Sequence, residues 1–122
     1  MLSSMAESSL TETAYLVLTA LADEPQHGYA VIEEIRRISQ GDVVLHTGTL
    51  YATLDRLRAA ELIEVEREEV VQSRLRRYYR LSGAGRERLA VETQRLQRHA
   101  AAADARLSRL RGVRPATGTG AA

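Results

Sequence analysis

The sequence has no cysteine, no lysine, no tryptophan and no phenylalanine. Without cysteine there is no disulfide and no thiolate chemistry, which points to a reducing compartment. Without lysine there is neither Schiff-base catalysis nor a P-loop lysine on phosphate, and all 17 basic residues are arginine. No apolar run approaches the ~20 residues that span a bilayer. The start, MLSSMAESS, has neither the basic nor the apolar region of a signal peptide. These absences predict a cytoplasmic protein with no membrane partner. The three histidines, His27, His46 and His99, lack metal-ligand spacing, so no metal site is expected. The GAGR stretch (83–86) lacks the third glycine of a dinucleotide fingerprint and follows a hairpin strand. No nucleophile–histidine pair is evident either, so no catalytic residue, no cofactor and no enzymatic activity are expected.

What is present is arginine, unevenly placed. The 122 residues fit one domain, small enough that a partner extending its core would help it. Formal net charge is only +1. Residues 1–70, however, hold 5 arginines and 13 acids, a net of −8, and residues 71–122 hold 12 arginines and 3 acids, a net of +9. Six of the arginines fall in RLRRYYRLSGAGRERL (74–89). Such asymmetry suits an anionic partner; solvated faces, or pairing between the two halves, would account for it equally well.

Periodicity sets out the elements. Residues 10–22 place Leu10, Ala14, Val17, Leu18 and Leu21 on one helical face, with Ser9 and Glu12 as a capping box and Pro25 as the stop. A second helix is predicted from about Gly28 to Ile38, with Val31, Ile32, Ile35 and Ile38 as its stripe. A third follows Thr47 as N-cap. Its Leu50, Leu54 and Leu57 face inward, while Gly48, Thr49, Ala52, Asp55, Arg56 and Ala59 face away. Residues 62–67 and 74–81 look like strands, joined by a loose loop over 68–73. Tyr78 and Tyr79 alternate faces, so one of them packs inward. Ser82 caps a final helix over 83–111, whose Leu89, Thr93, Leu96, Ala100, Ala103, Leu107 and Leu110 alternate steps of four and three. That is a heptad seam, too long for the preceding domain to cover, and a second copy is the simplest cover. Packing onto the chain's own domain is the alternative near Leu89. Residues 1–9 and 112–122 are expected to be disordered.

The expected fold is therefore mostly α with a small β-hairpin. Its order, with residues 10–82 followed by a dimerisation helix, is that of a winged helix-turn-helix. In such a domain a helix enters the major groove with its N-terminal residues at base edges, and arginines on the wing meet phosphates. Arg74, Arg76 and Arg77 are the candidates on the wing, with Arg80 beside them. On the third helix Thr47 and Thr49 lie nearest the groove. Arg56, in the third turn, either contacts a base or pairs with Asp55 or Glu61. His46 precedes the helix and reaches a phosphate or base or has no role, and the Tyr51 hydroxyl is a phosphate ligand if its ring is half-buried.

Three stretches carry a resemblance: HGYAVIEEI (27–35), GTLYATLDRLRAAELI (48–63) and RRYYRLSGAGRERL (76–89). In their order and spacing the chain resembles the PadR-like transcriptional regulators, in particular short members with one C-terminal dimerisation helix. The resemblance implies a homodimeric repressor on a roughly palindromic double-stranded DNA operator. It implies that Tyr29 and Tyr51 support backbone contacts and the packing of the helix-turn-helix, and that Thr47, Gly48 and Thr49 start the recognition helix. Three departures stand out. Ala52 replaces a usual proline on the DNA-facing side, and Glu61 replaces a usual glycine before the wing. The stretch Glu68–Glu69–Val70–Val71 is acidic and apolar where a phosphate-binding tip prefers glycine and basic residues, which moves the expected wing contact to the second strand. Some relatives stack flat aromatic effectors on tryptophan at the dimer interface, and this chain has no tryptophan for that. Ala100 and Ala103 leave either a cavity for an unidentified small-molecule effector or, the preferred reading, room for two helices to approach closely. The rival to DNA binding is a winged-helix module that contacts protein instead.

Overall fold

The computed structural model describes residues 10–112. Its elements are α1 (Glu12–Leu21), β1 (Gln26–His27), α2 (Gly28–Ile38), α3 (Thr47–Ala59), β2 (Ile63–Val71), β3 (Arg74–Leu81) and α4 (Gly83–Leu110). The predicted disordered ends, Ser9 as a cap, and residues 113–122 lie outside the described residues. The chain divides into two units, one ending at Ala90 and one starting at Val91. No helix among the described residues is long and apolar enough to cross a membrane.

The first unit is a winged helix-turn-helix: three helices over a three-stranded antiparallel sheet of order β1-β3-β2. Thr11 caps α1, its hydroxyl accepting from the Ala14 N–H at 3.1 Å. Val17, Leu18, Val31, Ile35, Leu50 and Leu54 are fully buried in one cluster with Tyr79 and Leu81. Each large side chain of this cluster contributes about 1.5–3 kcal/mol by leaving water. Three inward stripes of α1, α2 and α3 therefore fix the angle at which α3 is presented.

The C-terminal ends of α2 and α3 are closed by residues in the left-handed region. At α3 the Glu61 N–H donates to the Arg58 carbonyl and the Leu62 N–H to the Leu57 carbonyl, with Glu61 at φ 64°. This double closure is a Schellman motif, in which glycine is usual. The missing glycine does not open the turn; Glu61 takes the strained conformation itself, at a cost of roughly 1 kcal/mol. Gln40, φ 55°, closes α2 in the same way. Thr47 is the first helical residue of α3 and not its cap: His46 holds the cap position without a side-chain bond.

The wing departs from the expected loose tip. Strand β2 runs on to Val71 and β3 starts at Arg74, leaving only Gln72 and Ser73 as the turn, with φ of 53° and 66°. Two positive φ values make a primed turn, whose twist matches the strands. Two cross-strand ion pairs support the register: Glu64 and Glu68 lie across from Arg80 and Arg77, and such pairs support a sheet by about 0.2–1 kcal/mol each. A register shift between Val65 and Arg67 brings Arg67 opposite Tyr78, where its guanidinium sits 3.9 Å from the ring centre. Tyr79 is the tyrosine that packs inward, 2% exposed. The third strand, β1, pairs Gln26 with Tyr79 and His27 with Tyr78.

Ser82 caps α4. Its hydroxyl accepts from the Gly85 N–H at 2.9 Å and donates to the Glu61 carbonyl at 2.8 Å. Leu89 packs against the core of the first unit. The part of α4 in the second unit, from Val91 on, leaves Leu96, Leu107 and Leu110 exposed, with Ala100 and Ala103 between Leu96 and Leu107; Thr93 is half-buried.

Candidate nucleic-acid interface

The inward stripe of α3 leaves Thr47, Gly48, Thr49, Ala52, Asp55, Arg56 and Ala59 exposed. His46, just ahead of the helix, is exposed too. Thr49 contributes its carbonyl to the Thr53 hydroxyl at 2.9 Å. Arg56 pairs with neither Asp55 nor Glu61: one guanidinium N–H reaches the buried Thr53 hydroxyl at 3.5 Å, a long contact. Its head therefore stays available at the surface.

Beside α3 lies an open groove of about 860 Å³ between the helix-turn-helix and the wing. Tyr29, Tyr51, Arg74, Arg76 and Arg77, all candidates from the sequence, line it together with Asp55, His27 and Leu75, which were not among the candidates. The remaining predicted residues, His46, Thr47, Gly48, Thr49, Ala52 and Arg56, lie along α3 outside the groove lining. Tyr51 is 45% exposed, with its hydroxyl lying over Gly28. A Cβ at Gly28 would overlap that hydroxyl, so the glycine leaves room for the end of the Tyr51 side chain at the start of α2.

The wing arginines are not equally free. Arg77 donates to Glu68 at 2.9 Å, Arg80 to Glu64 at 2.8 Å, and Arg67 to Glu66 at 2.7 Å and Glu69 at 3.3 Å. The Glu68 carboxylate holds the Arg77 guanidinium above its ordinary basicity, and Glu66 does the same for Arg67. Four arginines on β3 face a β2 strand that carries four glutamates and Arg67, so the basic strand largely neutralises its acidic neighbour. Arg74 and Arg76 take part in none of the ion pairs among the described residues. They are the charges left for an outside anion.

His27 joins the two halves of the site. It pairs with β3, its Nδ1 accepts weakly from the Ala30 N–H at 3.4 Å to cap α2, and its ring meets Tyr78 edge-on at 5.4 Å. Burial, then the nearby Arg76, lowers its pKa from the ordinary 6.5, with Glu69 opposing. A lowered folded-state pKa contributes stability that is present above 6.5 and lost as pH falls through the folded value. We therefore expect His27→Asn, which caps without titrating, to gain stability relative to wild type as pH falls from 7 to 5. Urea midpoints at both pH values measure this, and a pH-independent difference would contradict it.

A helix-turn-helix with an exposed third helix, followed by a β-wing whose Arg74 and Arg76 join no ion pair among the described residues, defines a winged-helix protein. The family model for the transcriptional regulator PadR-like family matches residues 17–91, and the chain belongs to that family. It is 37% identical over 81 residues to the transcriptional regulator Rv3488 of Mycobacterium tuberculosis, covering 66% of this chain and 72% of that one. It is 41% identical over 83 residues to a 37.1 kDa protein of transposon TN4556 from Streptomyces fradiae, 68% of this chain but only 22% of that protein's length. The fold is shared with a PadR family regulator from Clostridium difficile R20291, at TM-score 0.69 and 21% identity over 80% of this chain and 99% of that one. It is also shared with Bacillus subtilis PadR in complex with operator DNA, at TM-score 0.57 and 18% identity over 63% of this chain and 44% of that one.

Proposed function

We propose that the protein is a homodimeric, sequence-specific repressor that binds a roughly palindromic operator. In this reading α3 enters the major groove through Thr47, Gly48, Thr49 and Ala52, with Arg56 and His46 at its margins. Arg74 and Arg76 bind phosphate, and Tyr29 and Tyr51 support the backbone contact. The observation that carries it is the groove itself, which holds two unpaired arginines beside the exposed side of α3. The PadR–operator complex supports it, since the same fold there meets DNA. Dimerisation comes from the exposed leucines of α4, and we assign no effector.

Fluorescence anisotropy on DNA from upstream of the protein's own gene, against random DNA at two salt concentrations, tests the proposal. Tight, sequence-preferring binding that weakens with salt is expected. Weak binding, equal for both DNAs and indifferent to salt, contradicts it. That result would favour a protein-interaction module, a reading for which the near-neutral wing is the supporting observation.

The same pairing yields a gain-of-function prediction. Phosphate must compete with Glu68 for Arg77, and the carboxylate itself repels the DNA backbone. Both groups are exposed, so the pair is worth only about 0–1 kcal/mol. Glu68→Gln should tighten binding to all DNA sequences by roughly three- to tenfold per protomer at low salt. Unchanged anisotropy curves would show that Arg77 lies away from the phosphates.

A further inference from the structure

We infer that Asp55 is a specificity-determining residue that reads cytosine; this rests on the DNA-binding reading above. Gly48, Ala52, Asp55 and Ala59 stand at offsets of 0, 4, 7 and 11 and share the side of α3 turned from Leu50, Leu54 and Leu57. Three of the four have no side chain beyond Cβ, so the helix backbone can come close to whatever it faces. The one functional group on this stripe is a carboxylate. Asp55 is exposed and lines the groove with Tyr51, Arg74 and Arg76. It takes part in none of the ion pairs among the described residues.

An ionised carboxylate only accepts hydrogen bonds. Phosphate oxygens repel it, as do guanine N7 and O6 and thymine O4, which are acceptors themselves. The major groove offers it two donors, the amino groups of cytosine and adenine. Beside the adenine amino group stands the N7 acceptor, which a carboxylate meets unfavourably; the cytosine edge has no such acceptor. Arg74 and Arg76, in the same groove, offset the repulsion between this carboxylate and the DNA backbone. Asp55 therefore works largely by exclusion, weakening every half-site that lacks cytosine at the position it faces.

The test is selection from a random duplex library with the full-length wild type, Asp55→Ala and Asp55→Asn. Anisotropy on the winning site and its single-base-pair variants follows. Wild type should select one C·G pair per half-site and lose about tenfold in affinity when that cytosine becomes thymine. Asp55→Ala should reduce this ratio to about twofold or less while binding random DNA at least as tightly. Asp55→Asn should shift the preference at the same position toward adenine, whose N6 and N7 suit an amide. That shift is one a merely structural role would not produce, and thermal melts check that both variants fold. If Asp55→Ala keeps the wild-type selection at every position, the inference falls alone. If wild type selects no sequence, the regulator reading falls and this inference with it.

Discussion

Leu96→Glu combined with Leu107→Glu should turn a dimer into a monomer and lower operator affinity by about 10²- to 10⁴-fold. Both leucines are exposed on α4, at 39% and 47%, and Leu110 is 82% exposed. An amphipathic stripe over most of a 28-residue helix, ~42 Å long at ~1.5 Å per residue, is costly to leave in water. Two copies meeting along Leu96, Ala100, Ala103 and Leu107 would bury it, with the alanines permitting close approach. Two carboxylates per chain in that seam would be desolvated without partners. Operator affinity should follow, because a palindrome rewards two linked domains: the second half-site is bound at high effective concentration, and that linkage supplies the stated factor. Neither leucine belongs to the core cluster of the first unit, so the winged domain should keep its fold. Sedimentation velocity and anisotropy measure the two effects. A variant that still sediments as a dimer would place the interface elsewhere.

The second large effect is on stability. Gly85→Ala should cost about 3 kcal/mol, which lowers the melting temperature of a domain this size by roughly 10–20 °C. A Cβ at Gly85 would overlap the Leu62 carbonyl oxygen, and backbone cannot move aside as a side-chain tip can. Displacing the start of α4 would also break the Ser82 hydroxyl's bonds to the Gly85 N–H and the Glu61 carbonyl, which tie α4 to the end of α3. Gly83, two residues earlier, is the control. A Cβ there meets nothing within 4 Å, so Gly83→Ala should leave stability unchanged or raise it by up to about 0.5–1 kcal/mol. Melting curves followed by circular dichroism distinguish the two glycines, and equal melting temperatures would refute the packing argument.

The elements legible in the sequence are those whose signal is long. Helical stripes such as Val31, Ile32, Ile35 and Ile38, or Leu50, Leu54 and Leu57, recur over about two turns each and define α2 and α3. Strand β1 has two residues, Gln26 and His27, too few to show a period. The tight wing turn is hidden because Gln72 and Ser73 take positive φ without glycine, so no turn residue marks them. That omission propagates. The pairing of Glu68 with Arg77 and of Glu64 with Arg80 depends on where the turn falls, so the arginines of 74–89 look more available in the sequence than they are. The choice between Tyr78 and Tyr79 depends on the same register. Asp55 is visible as an outward residue of α3, but its place beside Arg74 and Arg76 is set by how the wing folds back along the helix.

DNA binding through Arg74 and Arg76, beside a sequence-reading helix, is what the whole functional reading stands on. Its decisive measurement is the affinity of wild type and of an Arg74→Ala, Arg76→Ala double variant for the selected operator across a range of salt concentrations. Each arginine withdrawn from a phosphate should flatten the plot of log affinity against log salt by about 0.9, and two arginines act in each protomer. A clearly shallower slope for the variant, with its base preferences retained, is the expected result. A slope equal to that of wild type would contradict phosphate binding by these two residues.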